Sequence, residues 1–203
     1  MKKKFRKVWI IMRQAEIIRK TKETQINVKL NLDGSGICNI ATGIGFFDHM
    51  LTAFGVHGGF DMDVTVSGDL YVDGHHSVED TGIALGQAFK EAAGDLRGIV
   101  RYGTAYIPMD ESLAFCCLDI SHRPYLVYEC DFDNQGTGSY DNCLTKEFMR
   151  AFAYNAGITL HLKCLYGTND HHKNEAMFKA LGHALSTAAV ISGGEVLSTK
   201  GVL

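Results

Sequence analysis

Two short stretches, HHSVED at 75–80 and HHKNEA at 171–176, stand 96 positions apart, and the chain leading to each has the same order. Before the first, QINVKLNL alternates apolar and polar residues as a strand entering the turn DGSG, and GICNIA is a second short strand. GFFDHMLTAFGVHGG then has the spacing of a helix that stops at Gly58 and Gly59, and FDMDVTVSG alternates again. From Ser77 the segment SVEDTGIALGQAFKEAAG is expected to be an amphipathic helix. In the second half VRYGTAYI, ESLAFCCLDI and PYLVYECDF are expected strands, CLTKEFMRAFAYNAG a helix and ITLHLKCLYG a strand, and a last helix runs through HHKNEAMFKALGHALSTAAVI. Strands, helix, strand, helix therefore occur twice. The expected fold is α+β, one duplicated unit whose two sheets pack around a central helical layer. The repeats span about 13–97 and 98–203 of a single domain, after an N-terminal extension at 1–12.

Composition leaves few other classes open. Hydrophobic residues make up 46% and charged residues 21%, which excludes a disordered chain and a membrane bundle. A net charge of -3 gives no overall attraction to nucleic acid, so any anion must be held locally. The six cysteines form no CxxC pair and several sit in apolar runs, as expected for reduced core residues of a cytoplasmic protein.

The repeated motif also carries chemistry. Successive helical residues point about 100° apart, whereas residues four apart share a face. His75 and Glu79 can therefore reach one ion, as can His171 and Glu175, while His76 and His172 must aim elsewhere. Each half adds a donor on its earlier helix, His49 in FFDHML and Glu147 in LTKEFM, 98 positions apart. Two pseudo-symmetric metal sets follow. One is His171, Glu175, His76 and His49, and the other His75, Glu79, His172 and Glu147; spacing is compatible with closure within one chain or between chains. Nitrogen and carboxylate donors without cysteine suit Mn(II), Fe(II) or Zn(II), and argue against calcium. Four ligands on an octahedral ion such as manganese leave positions open for substrate or water.

Other polar residues are read more conservatively. His161 on an alternating strand, His183 in the last helix and His122 at a turn are taken as structural. His57, eight positions beyond His49, is placed beside the site. Arg101, Arg123 and the terminal Ser198, Thr199 and Lys200 are of the types that hold phosphate, as is Lys179, one helical turn after Glu175.

GFFDHM, HHSVED, HRPY, HHKNEAMFKA and STKGVL, in that order, resemble the imidazoleglycerol-phosphate dehydratase family from about Arg13 to Leu203. The resemblance implies removal of water from imidazoleglycerol phosphate to give imidazoleacetol phosphate in histidine biosynthesis. It also implies two Mn2+ per active site and a 24-subunit homo-oligomer with active sites between subunits. It makes Glu23 the acid/base, and adds His49, His57, His75 and His171 as substrate contacts. Arg101, Arg123, Lys179, Ser198, Thr199 and Lys200 would hold the phosphate. The chain departs from the commoner family pattern at Glu147, where many members have histidine, and at Leu197, where many have proline. Two metals suit this reaction because the hydrogen to be lost has no neighbouring carbonyl. Cations facing both ring nitrogens would let the ring lose its N–H proton and expel the adjacent hydroxyl. The competing readings are a two-metal phosphatase and a metal-dependent assembly module without catalysis.

Overall fold

The computed structural model describes residues 12–201. The expected N-terminal extension therefore lies, but for Met12, outside the described residues, as do Val202 and Leu203. In the first half, β1 (Gln14–Lys20), β2 (Thr24–Asn31), β3 (Cys38–Ala41) and β4 (Asp61–Gly68) form one sheet in the order β1-β2-β4-β3. Ile26, Val28 and Leu30 of β2 and Met62 and Val64 of β4 are almost fully buried, which is the alternation that makes these segments strands. β3 runs parallel to β4, and α1 (Gly45–Gly58) makes the crossover between them. α2 (His75–Ala93) follows β4 and packs on β1 and β2. It starts two residues before the expected Ser77, which places His75 and His76 in its first turn.

The second half repeats this plan. β5 (Tyr102–Met109), β6 (Ser112–Ile120), β7 (Tyr125–Glu129) and β10 (Ile158–Tyr166) form a sheet in the order β5-β6-β10-β7, with β7 parallel to β10 and α3 (Leu144–Ala156) as the crossover. A small hairpin, β8 (Gly136–Thr137) and β9 (Tyr140–Asp141), is inserted before α3, and α4 (Asp170–Ala189) packs on β5 and β6. The four helices lie between the sheets, so the α+β fold with a central helical layer is the one observed.

Helices pair across the repeats. α1 packs on α4 and α2 on α3, and both pairs run parallel. His49 meets Glu175 and His57 meets His183, each 126 residues apart, which fixes the direction of α1 along α4. Parallel packing brings helix starts, and so the expected ligands, to the same end of each pair. Close approach of α2 and α3 depends on glycine: a Cβ at Gly86 would lie 2.6 Å from the Phe152 carbonyl oxygen, and one at Gly82 would lie 2.8 Å from that of Phe148. A backbone carbonyl inside a helix cannot move aside. Gly86→Ala is expected to destabilise the fold by about 1–3 kcal/mol, read as a lowered midpoint of thermal or urea unfolding.

One expectation needs correction. Among the cysteines only Cys116 is buried, while Cys143 is exposed and the other four are half-buried. His183, taken as structural, is exposed, and its Nε2 lies 3.3 Å from Nδ1 of His57.

Candidate metal and anion sites

The start of α4 is held by buried polar contacts. The Asn169 side chain accepts from the His171 and His172 backbone N–H groups. Asp170, 4% exposed, accepts from the backbone of Asp133 and Asn134 and from Lys173. Asn174, fully buried, accepts from Thr145 and donates to Asn142. On this fixed turn His171 Nε2 lies 3.2 Å from Glu175 Oε2, and His49 Nε2 reaches the same oxygen at 3.3 Å. One donor atom from each of the three residues falls within 4.8 Å of the others. Burial pushes the Glu175 carboxyl up, but the Lys179 ammonium, 2.6 Å from Oε1, and His49 outweigh it and hold the group below its ordinary range. A charged carboxylate thus stands between two imidazoles.

The second group is looser. His75 Nε2 lies 3.3 Å from Glu79 Oε2. Glu79 and Glu147 meet through Arg150, whose Nη2 is 2.8 Å from a carboxylate oxygen of each. The remaining two histidines lie apart from both groups. His76 Nδ1 is 3.1 Å from Asp69 Oδ2, and its Nε2 is 4.0 Å from Glu23 Oε1. His172 Nδ1 is 2.7 Å from Glu111 Oε2. Within one chain, then, three members of the first expected set come together without His76, whereas in the second Arg150 joins Glu79 to Glu147, His75 touches only Glu79, and His172 stands elsewhere. Arg150 escaped the sequence reading, although its position three residues after Glu147 on a helix was a signal for an ion pair. Asp69 and Glu111 gave no such local signal.

The expected anion-binding residues divide between two places. Arg101, Arg123, Ser198, Thr199 and Lys200 line one cleft of about 940 Å³, together with His122 and Tyr102. Asp119 organises it, accepting from Arg101 Nε at 2.6 Å and from Arg123 Nη2 at 3.2 Å. Arg101 is 7% exposed, has a left-handed backbone (φ 77), and donates to the Leu197 carbonyl, which ties the C-terminal segment to the cleft. Arg123, by contrast, has 68% of its side chain exposed. Lys179 and His57 are not part of this cleft. Lys179 pairs with Glu175, and His57 touches His183.

The cleft and the His49–His171–Glu175 cluster lie at opposite ends of α4. Arg101 N–H donates to the Ala188 carbonyl near the helix end, whereas His171 is in the first turn. Seventeen residues at 1.5 Å each separate them by about 25 Å along the helix. No small phosphorylated molecule spans that distance within one chain.

Fold and site together define a duplicated α+β protein that presents histidine–carboxylate groups at its helix starts and gathers cationic residues at the far end of its last helix. The sequence model of the imidazoleglycerol-phosphate dehydratase family matches residues 42–185. The chain belongs to that family of dehydratases. It is 55% identical over 194 residues to the imidazoleglycerol-phosphate dehydratase of Phenylobacterium zucineum, covering 94% of this chain and 99% of the relative. It is 56% identical over 192 residues to that of Clostridioides difficile, covering 95% and 100%. The solved structure from Staphylococcus aureus superposes with a TM-score of 0.79 at 39% identity, covering 89% of this chain and 99% of that one. The one from Pyrococcus furiosus gives 0.80 at 40% identity, covering 92% and 100%. Among the described residues, no helix is long and apolar enough to cross a membrane.

Proposed function

We propose that this protein dehydrates imidazoleglycerol phosphate to imidazoleacetol phosphate in histidine biosynthesis, in the cytoplasm, with two Mn2+ ions per active site. The observation that carries the reading is the compact His49–His171–Glu175 cluster in a chain of this family. Its donors, two imidazole nitrogens and a carboxylate without any thiolate, suit a divalent ion such as manganese. One ion would be held by these three residues and the partner subunit's His76. The other would be held by His75, Glu79 and Glu147 with the partner subunit's His172. Bound there, the pair of ions would stabilise the anion left when the substrate ring loses its N–H proton near neutral pH.

The separation of about 25 Å along α4 supports active sites between subunits, because the anion cleft must come from a different subunit than the cluster it serves. The assembly proposed is a homo-oligomer of 24 subunits. In it His76 carries Glu23 toward a neighbour's cluster, since the two residues are adjacent. Glu23, with 53% of its side chain exposed, has no cationic Lys or Arg partner among the described ion pairs, so its carboxylate is available to take the proton from the substrate carbon next to the ring-bearing one. Arg101, Arg123, Ser198, Thr199 and Lys200 bind the phosphate and fix the tail of the substrate, and Arg101 also ties the C-terminal segment to the cleft through the Leu197 carbonyl. His57 and Lys179 line the path between phosphate and ring.

The test is product analysis with the full-length protein, Mn2+ and imidazoleglycerol phosphate. The expected products are the ketone and water, with no free phosphate. Release of inorganic phosphate would instead assign the site to hydrolysis, and turnover of neither kind would leave the ions a purely assembling role.

A further inference from the structure

The two diverging histidines share a feature that the ligand sets do not require. Each has a carboxylate against Nδ1: Asp69 for His76, at 3.1–3.2 Å from both oxygens, and Glu111 for His172, at 2.7 Å. An ionised carboxylate only accepts hydrogen bonds, so Nδ1 must carry the proton, and in the neutral ring Nε2 is then left with its lone pair. Both rings are thereby set in the tautomer that offers Nε2 to an ion.

The duplication makes the source of these carboxylates informative. Glu111 is the residue immediately before β6, as Glu23 is the residue immediately before β2, the equivalent strand. Glu111 is spent on orienting its histidine. Glu23 instead stands near the opposite nitrogen, Nε2 of His76, and is not hydrogen-bonded to the ring. In the first repeat the orienting task falls to Asp69, just after β4. The equivalent place after β10 is Gly167, which has no side chain to do it.

We propose that Asp69 and Glu111 are positioning residues that fix the Nε2-ligating tautomers of His76 and His172. Their different origins in the two repeats are what leaves Glu23 free for proton transfer. This rests on the two-ion reading above. The two carboxylates also differ in a way that can be tested. The side chain of Asp69 has no hydrogen-bond partner other than His76 among the described residues, so an asparagine there can turn its oxygen to Nδ1. Glu111 Oε1 accepts from the Thr168 and Asn169 backbone N–H groups at 3.0 and 2.8 Å. In Glu111→Gln those groups demand the amide oxygen, so the NH2 must face His172 Nδ1. That NH2 donates, which forces the proton onto Nε2 and removes the ligating lone pair.

The experiment is Mn2+ retention by the assembled full-length protein, titrated against a chelator and read by elemental analysis. Glu111→Gln is expected to weaken one of the two ions by about 10–100-fold. Asp69→Ala should weaken the other to a similar degree, and Asp69→Asn should hold it as the unmodified protein does. A carboxylate that merely stabilised the fold would give Asn and Gln substitutions of equal effect, and that equality would overturn the proposal. Should Glu111→Gln fail to assemble, the comparison of Asp69→Ala with Asp69→Asn decides: equal retention by both contradicts it. Fewer than two ions bound per subunit by the unmodified protein would instead sink the two-ion reading itself.

Discussion

Glu23→Gln is expected to lower kcat by about 10²–10⁴-fold, the contribution typical of a positioned acid or base, with Mn2+ content and assembly unchanged. The substitution keeps the shape of the side chain and removes only its ability to take a proton. Glu23 sits in the turn between β1 and β2, where the Thr21 hydroxyl accepts from its backbone N–H at 3.1 Å, so the loop conformation does not depend on the carboxylate. Its oxygen is 4.0 Å from His76 Nε2, too far for a hydrogen bond. KM should therefore move little while kcat falls. A non-catalytic assembly role would leave turnover indifferent to the change.

His171→Ala is expected to abolish turnover and to reduce bound Mn2+ from two ions to one per subunit. It removes one of the two imidazoles facing Glu175 and leaves the carboxylate paired with Lys179 and His49 alone. His76→Ala should deplete the same ion although the two residues lie apart within one subunit, because in the proposed assembly His76 would serve a neighbour's cluster. His75→Ala should deplete the other ion. Elemental analysis of the purified variants, with oligomer size checked in parallel, reads all three. Loss of both ions from any one of them would mean that the two sets are not independent.

How much of this was legible in the sequence depended on how local each contact is. The His75–Glu79 and His171–Glu175 pairs follow from helical spacing alone, and the repeat offset then pointed to His49, which lies with His171 and Glu175. β1 went unseen because its inward face is Ala15, Ile17 and Arg19; the arginine reaches Asp80 at 2.9 Å and hides the alternation. The β8–β9 hairpin was missed for a related reason. Its segment is held by Asp170, Asn142 and Asn134 rather than by an apolar stripe, although Tyr140 is fully buried against Phe46 and Phe47. Arg150 on Glu79 and Glu111 on His172 are 71 and 61 residues from their partners, and no periodicity encodes such contacts. Duplication could have suggested Glu111 from Glu23, but only once β1 and β5 had been matched.

The central claim, that each active site holds two ions drawn from two subunits, is tested most directly by a diffraction map at the manganese edge from crystals grown with Mn2+ and a substrate analogue. Two anomalous peaks per subunit are predicted, one between His49, His171, Glu175 and the partner subunit's His76, the other at His75, Glu79 and Glu147 with the partner subunit's His172. Glu23 should face the analogue without ligating either ion. A single peak, or His75 and His76 of one subunit on the same ion, would contradict that claim.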